Sequence, residues 1–261
     1  MSDKQEVTSK VRKQFGAHAQ NYVNSKVFWQ GEDLNIILRM AQPQRHHAVL
    51  DIATGGGHTA LKLAPHVKSV VASDITQKML DAAEAFITPQ ADNVTFKLAD
   101  AEDLPFEEAT FDVVPCRIAP HHFPDIFKFV LESTRVLKRG GVLVVQDGDV
   151  PADERAAEYV NAFEKLRDPS HVRMYSSAYW RGTFLDAQLE VEQMDTDFVQ
   201  HANFRAWCER MSCPPDVVER LTVMMQQAPD AMREWMQPTA VGTDDAMFEH
   251  RYVILAGRKP V

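Results

Sequence analysis

The chain has 261 residues, with 28 Lys+Arg against 37 Asp+Glu, and so a formal net charge of −9. Hydrophobic residues at 45% and charged residues at 25% describe an ordinary globular protein, long enough to bury a substantial core. The acidic balance argues against nucleic acid or an anionic membrane as partner, and Cys116, Cys208 and Cys213 are too few and too scattered for a disulfide framework.

The N-terminal stretch MSDKQEVTSKVRKQ holds no apolar core of a signal peptide, and no run approaches the ~18–20 residues of a membrane span. The expectation is a reduced, cytoplasmic protein without a membrane span. It is a monomer or homodimer, acts on a small molecule and has no nucleic-acid partner. Residues 5–27 read as a helix with Val7, Val11, Phe15, Ala19 and Tyr22 on one face, and a second helical stretch from residue 32 stops near Pro43. Residues 48–53 form a short apolar run typical of a strand buried on both faces. Residues 54–57 break it, and residues 58–67 return to helical spacing.

The alternation continues with a strand at 69–74, a helix at 77–87, a strand at 94–98 and a fourth strand starting at 111. Pro115 removes a ladder N–H from that central strand. The strand therefore ends at Val114 or bulges there, re-aiming Cys116 and Arg117. A helix at 124–137 is expected to turn Phe127, Val130, Leu131 and Thr134 inward, with Gly140-Gly141 stopping it before a fifth strand at 142–145. Beyond Asp147, residues 152–166 and 177–187 read as helices and 189–199 as one long strand. Residues 204–236 are mostly helical, and 251–256 form a final strand. Strands alternating with helices imply an α/β fold: a Rossmann-like, doubly wound, mostly parallel seven-stranded sheet with an antiparallel edge strand, N-terminal helices and a helical insert over 203–240. The whole chain, 1–261, reads as a single domain with an N-terminal helical cap at 1–45 and a ligand-binding core at 46–150. Residues 151–261 supply the substrate-side helices and the last two strands.

In such sheets ligands bind beyond the carboxyl ends of the strands, where the topology reverses. The segment there is Asp51-Ile52-Ala53-Thr54-Gly55-Gly56-Gly57. A dinucleotide fingerprint laid on it loses its first and last glycines, and a P-loop lacks its lysine at His58. An acidic-x-G-x-G-x-G pattern fits better, with Asp51, Gly55 and Gly57 in place and Ala53 replacing one glycine. A tight turn without a ligand is the plainer alternative. Asp74 closes the second strand and can accept from both hydroxyls of a ribose, or simply cap the helix starting near Thr76. Asp100-Ala101-Glu102 closes the third, where a carboxylate and a backbone N–H can address adenine, or again serve as a cap.

Together with Ser73-Asp74-Ile75, the run from Ala99 to Phe106 and Arg135-Val136-Leu137-Lys138-Arg139-Gly140-Gly141, this loop resembles the class I S-adenosylmethionine-dependent methyltransferases. The resemblance is to the branch that includes the ubiquinone/menaquinone C-methyltransferases, and it covers roughly residues 45–150. Phe15, Ala19 and Tyr22 resemble the family's cofactor-covering helix. It implies that Asp51 organises the amino-acid end of S-adenosyl-L-methionine and that Thr54, Gly55, Gly56 and Gly57 lie against it. Asp74 and Ile75 would hold ribose, and Asp100 and Ala101 adenine.

Methyl transfer from a sulfonium is an in-line displacement in which the protein aligns the reacting atoms, and a base helps when the acceptor carries a proton. Ala119-Pro120-His121-His122-Phe123 follows the fourth strand. His121 is the candidate catalytic residue, with His122 beside it in a structural or substrate-contacting role. Arg117 suits the cofactor carboxylate, an acidic substrate or pairing with a nearby Asp. His171 and Trp207 are candidate substrate contacts, in segments equally suited to a surface loop and to plain core. No residue set has metal-ligand spacing, and Cys208 and Cys213 read as packing residues. The expected activity is methyl transfer to carbon, oxygen or nitrogen of a small organic molecule. The alternatives are a non-catalytic cofactor-binding protein of the same fold and, disfavoured by the failed glycine register, an NAD-dependent oxidoreductase.

Overall fold

Strands far apart in the chain pair into a single mixed sheet. The computed structural model describes residues 3–23 and 31–261, without the side chains of residues 3 and 17–22. The strands β1 (Ala48–Ile52), β2 (Ser69–Asp74), β3 (Val94–Leu98), β4 (Phe111–Arg117) and β5 (Leu137–Gly148) are mutually parallel. β8 (Met247–Arg258) runs antiparallel between β5 and β6 (Glu190–Asp195), giving the order β3-β2-β1-β4-β5-β8-β6. β7 (Val199–Asn203) pairs with the first part of β8, as an eighth strand off that path. The helices are α1 (Asp3–Val23), α2 (Glu32–Ala41), α3 (His58–Leu63), α4 (Gln77–Ile87) and α5 (Ile126–Val136). They continue with α6 (Glu154–Arg167), α7 (Ser177–Asp186), α8 (Phe204–Glu209), α9 (Pro215–Gln226) and α10 (Asp230–Met236).

Alternate residues of the central strands face opposite cores, which is why these strands are apolar throughout. Leu50, Ile52, Val114, Cys116 and Val145 pack with Phe129 of α5 and with Trp180 and Phe184 of α7. Val49, Val70, Val113 and Val144 pack on the other face with Ile37 of α2 and Leu63 of α3. A third cluster, built on Phe163, Trp207, Met232 and Phe248, ties α6 to the helical segment 204–236 beside the sheet. The sequence order of the strands reverses between β1 and β4, so their carboxyl ends form the crevice in which ligands bind.

The α/β alternation and the mostly parallel sheet with an antiparallel portion at one side are as expected; four local readings change. Pro115 neither ends β4 nor starts a bulge: it stands opposite Val144, and the register shift falls earlier, between Phe111 and Val113. The ladder to β1 is sparser, with Val49 opposite Val113 and Ile52 opposite Cys116, so the missing N–H is absorbed on that side. On α5 the buried positions are Ile126, Phe129, Val130, Ser133 and Val136, whereas Phe127 and Leu131 are 40% and 43% exposed. Gly140 is not the cap of α5 but a turn within β5 at φ +76°, since the chain is already extended at Leu137. Residues 189–199 do not form one strand: β6 ends at Asp195 and β7 begins at Val199. The expected extension of the first helix over residues 24–27, and the side chains of Ala19 and Tyr22, lie outside the described residues.

Candidate active site

The loop after β1 shows why glycine recurs there. Ala53, Gly55 and Gly57 have φ values of +52°, +54° and +83°, so every second residue of the loop lies in the left-handed region. A Cβ on Gly57 would stand 2.5 Å from Ile87 Cδ1, and one on Gly56 would stand 3.2 Å from the Val23 backbone at the end of α1. Asp51 does not line the cavity but braces it from beneath. It is fully buried, and its Oδ2 accepts from Thr54 Oγ1 (2.6 Å) and Ala60 N (3.1 Å). Its Oδ1 has no partner among the described residues, and burial pushes its pKa up to about 7.

A cavity of about 240 Å³ opens above this loop, walled by Thr54, Gly55, Gly56, Asp74, Ile75, Asp100, Ala101, Arg117, His121, His122 and Trp207 among others. Asp74 accepts from Gly55 N (3.1 Å) and Thr76 N (2.9 Å), locking the end of β2 to the glycine loop, and burial raises its pKa to about 6. It thus serves the start of α4 and still faces the cavity. Asp100 Oδ1 accepts from Glu102 N at 2.9 Å, while its Oδ2 lies 2.8 Å from Lys4 Nζ, which also reaches Glu102 at 2.8 Å. The helix α1 therefore crosses this end of the cavity, lining it with Thr8, Val11 and Phe15 and donating from Arg12 Nε to Ile75 O at 3.2 Å.

Beyond β4 the chain turns through Ile118 at φ +52°, a rare conformation for a β-branched residue, held by its N–H donating to Gln146 O at 2.8 Å. The turn delivers His121 to the cavity, with Nδ1 2.5 Å from Oδ1 of Asp147, a fully buried residue at the end of β5. Burial lowers the pKa of His121, but the charge and hydrogen bond of Asp147 outweigh it and hold the imidazole above its ordinary value. His122 borders the cavity yet turns its Nδ1 to Ser170 O at 3.2 Å, and burial and the neighbouring His121 push it down to about 3. His171 is outside the cavity wall: it is 2% exposed and stacks behind His121 with ring centroids 5.5 Å apart. Arg117 is committed to Asp33 of α2 through Nε at 2.7 Å, the pairing alternative among its readings.

The far wall comes from α6, α8, β7 and β8. Tyr252 Oη lies 2.7 Å from His250 Nδ1 and 3.2 Å from Gln200 Oε1, and His250 Nε2 lies 3.2 Å from Glu164 Oε1. Burial opposes ionisation of Glu164, but His250 and then Arg167 hold its pKa down at about 2. Trp207 stacks on Phe163 at 5.1 Å under the Arg167 guanidinium, so it is core and cavity wall at once. Asp33, Asp147, Glu164, His250 and Tyr252 escape a reading by motif. Only Asp147 carries a local signal, as the first charge beyond the apolar run 142–145. Among the described residues no cluster of three His, Cys, Asp or Glu suits a metal ion.

Comparison with known proteins agrees with this geometry. The methyltransferase domain family matches residues 50–145. YcgJ of Bacillus subtilis, an uncharacterized methyltransferase, is 36% identical over 84% of this chain and 87% of its own length. The chain belongs to the methyltransferase family. Its relatives include demethylmenaquinone methyltransferases, as the motifs imply. A crystal structure of a Bacillus halodurans protein described as a methyltransferase superposes with a TM-score of 0.84 at 35% identity, covering 88% of this chain and all of that one. The 27-O-demethylrifamycin SV methyltransferase of Amycolatopsis mediterranei is 28% identical over 81% of this chain and 77% of its own. Family membership sets aside the dinucleotide-dependent alternative.

Enzymes of this family draw the methyl group from S-adenosylmethionine, and the residues present fit that cofactor. Asp74 faces the cavity with a carboxylate whose protein contacts are backbone donors, the left-handed loop brings main chain rather than side chains to the wall, and Asp51 keeps one buried oxygen unpartnered.

Proposed function

We propose that this enzyme methylates a hydroxyl oxygen of a small organic molecule, with His121 as the general base. The observation that carries the reading is the His121–Asp147 contact of 2.5 Å. A carboxylate that accepts from Nδ1 leaves Nε2 bare, and His121 Nε2 has no protein partner described while the residue borders the cavity. Asp147 also stabilises the imidazolium that forms once the base has taken the acceptor proton. Asp74 and Ile75 hold the ribose, Asp100 and Ala101 the adenine, and Thr54 to Gly57 the amino-acid end, with Asp51 bracing the loop and Tyr22 on the covering helix. When bound, the cofactor supplies an electrophilic methyl on a sulfonium. His122, Trp207 and the Glu164–His250–Tyr252 wall border the acceptor.

The Amycolatopsis relative, named for methylation at oxygen, matches 81% of this chain and so supports oxygen over carbon or nitrogen. We place the enzyme in the cytoplasm because all three cysteines are thiols, and its charge of −9 disfavours a nucleic-acid substrate. Among the described residues no helix is long and apolar enough to cross a membrane. The chain works as one domain, and as a monomer or homodimer. The test is release of S-adenosylhomocysteine with a panel of phenols, alcohols, amines and acidic-carbon compounds. Turnover confined to hydroxyl acceptors and lost in His121→Ala is expected. Turnover of amines alone, or full activity in His121→Ala, refutes the reading.

A further inference from the structure

Three imidazoles, His121, His122 and His171, are in ring contact at the mouth of β4, and hydrogen bonding assigns a tautomer to two of them. Asn161 of α6 accepts at Oδ1 from the main-chain N–H of Met174 (2.6 Å) and donates from Nδ2 to the carbonyls of Met174 (3.1 Å) and Ala157 (3.0 Å). A backbone N–H can only donate and a carbonyl can only accept, so the orientation of this amide is fixed. His171 Nε2 lies 2.9 Å from the same Oδ1 and must therefore carry the hydrogen. His122 is fixed likewise. Its Nδ1 lies 3.2 Å from the carbonyl of Ser170 and so carries the hydrogen, while the Ser170 hydroxyl donates to Asp168 at 2.6 Å. Among the described residues, only His121 of the three has a carboxylate in hydrogen-bond contact; the Asp168 carboxylate stands 3.9 Å from His122 Nε2.

The segment carrying His171 also grips His121 through the main chain. Val172 N and Arg173 N both donate to His121 O, at 2.8 and 3.1 Å. We propose that His171, held by Asn161 with its hydrogen on Nε2 and kept neutral by its burial, is a positioning residue for His121: it backs the base and leaves His121 as the one proton-accepting imidazole of the cluster. This rests on His121 being the base. The charges facing the cluster agree with it. Asp147, Glu164 and Asp168 all favour protonation of His121. His171 is held near 2 by burial and then by His121, with His122 and Lys165 adding to it and only Glu164 opposing. Were His171 to accept a proton as well, two imidazolium rings 5.5 Å apart would oppose each other by about two pH units at an effective dielectric near 20.

Long-range proton–nitrogen NMR of the ¹⁵N-histidine protein, titrated from pH 5 to 9, reads tautomer and charge of each ring without an acceptor. His171 is expected to remain neutral with hydrogen on Nε2 throughout, while His121 titrates. In Asn161→Asp the new carboxylate should bring His171 into titration between pH 5 and 8 and lower the apparent pKa of His121 by about two units. His171→Ala should lower turnover at least 10-fold with unchanged affinity for S-adenosylhomocysteine. A His171 that protonates in the parent protein, or that carries its hydrogen on Nδ1, overturns the proposal even if Asn161→Asp does not fold. Full activity of His121→Ala would instead overturn the assignment of the base, leaving the tautomers measured here intact.

Discussion

The ribose assignment makes the sharpest demand on a single side chain. Asp74 holds two backbone donors, Gly55 N at 3.1 Å and Thr76 N at 2.9 Å, besides facing the cavity. Replacing it by alanine therefore confounds two effects. Two buried N–H groups lose their acceptor, at about 1–3 kcal/mol each, and the ribose loses its own. Asp74→Asn reduces the first effect, because the amide oxygen still accepts one of the two backbone donors while the charge is gone. Hydrogen bonds to a charged acceptor contribute about 1.5–3 kcal/mol, and weakening a bidentate ribose contact should cost about 2–3 kcal/mol, or about 30- to 150-fold in Kd. Calorimetric titration with S-adenosylmethionine and with S-adenosylhomocysteine measures that loss, and a thermal melt confirms folding. Because burial holds the Asp74 pKa near 6, the parent affinity should also tighten as pH rises from 5 to 7, whereas that of Asp74→Asn should lack this component. A folded Asp74→Asn protein whose Kd stays within threefold of the parent would show that this carboxylate does not hold the ribose.

Asp51 tests the cost of burying a carboxylate. Its folded pKa of about 7 exceeds its unfolded value of 3.8, so its contribution is fully present below about pH 4 and is lost as pH rises through 7. Between pH 6 and 8 the melting temperature of Asp51→Asn should gain on the parent by about 1 kcal/mol, or 2–4 °C; a gap independent of pH contradicts it. For Asp147→Asn, the raised pKa of His121 means that the parent rate climbs with pH as the base loses its proton. Without the charge, the acid limb of the pH–rate profile should move to lower pH, and the plateau should fall about 10²- to 10⁴-fold as the tautomer is released. Gly57→Ala meets both its φ of +83° and the Ile87 Cδ1 atom 2.5 Å from the new Cβ, and should cost about 2–4 kcal/mol in denaturant titration. Adding Ile87→Val deletes Cδ1 and should recover the steric part only. Ala53→Gly, relieving a φ of +52°, should be neutral or stabilising by up to about 1 kcal/mol.

Legibility in the sequence followed locality. The strands β1, β2 and β3 each end in a loop whose chemistry sits within a few residues of the strand itself, so Asp51, Asp74 and Asp100 stand out as candidates in place, and Asp74 and Asp100 do line the cavity. The alternation of left-handed residues at 53, 55 and 57 is likewise a local property, visible as the spacing of glycines and of the alanine that tolerates the same conformation. On α5 the failure is also local. Phe127 and Leu131 are large and apolar, and a reading by size turned them inward, whereas the Ile126–Phe129–Val130–Ser133 stripe fits the sheet and leaves them at the surface. Beyond residue 189 no motif announced the break, because a three-residue gap between β6 and β7 has no glycine or proline to mark it.

His121 and Asp147 illustrate the other limit. His121 was singled out by its place after β4, but its partner is 26 residues away and no spacing rule connects them. What connects them is register. Cys116 stands opposite Val145 and Arg117 opposite Gln146, so the next residue of β5, Asp147, is at the level where the chain leaves β4. The left-handed turn at Ile118 and the short 3₁₀ turn at Pro120–His122 then fold the imidazole back over that strand end. A charge on a strand end is ordinary, and so is a histidine in a loop. Only the adjacency of β4 and β5, which the βαβ crossover through α5 imposes, brings the two into hydrogen-bond contact. Asp33 is placed against Arg117 in the same way, by the packing of α2 on the central strands rather than by any motif of its own. The acidity visible in the net charge is thus divided between two tasks. Asp74 and Asp100 face the cavity from the ends of β2 and β3, whereas Asp33, Asp51 and Asp147, all fully buried, fix the atoms that line it.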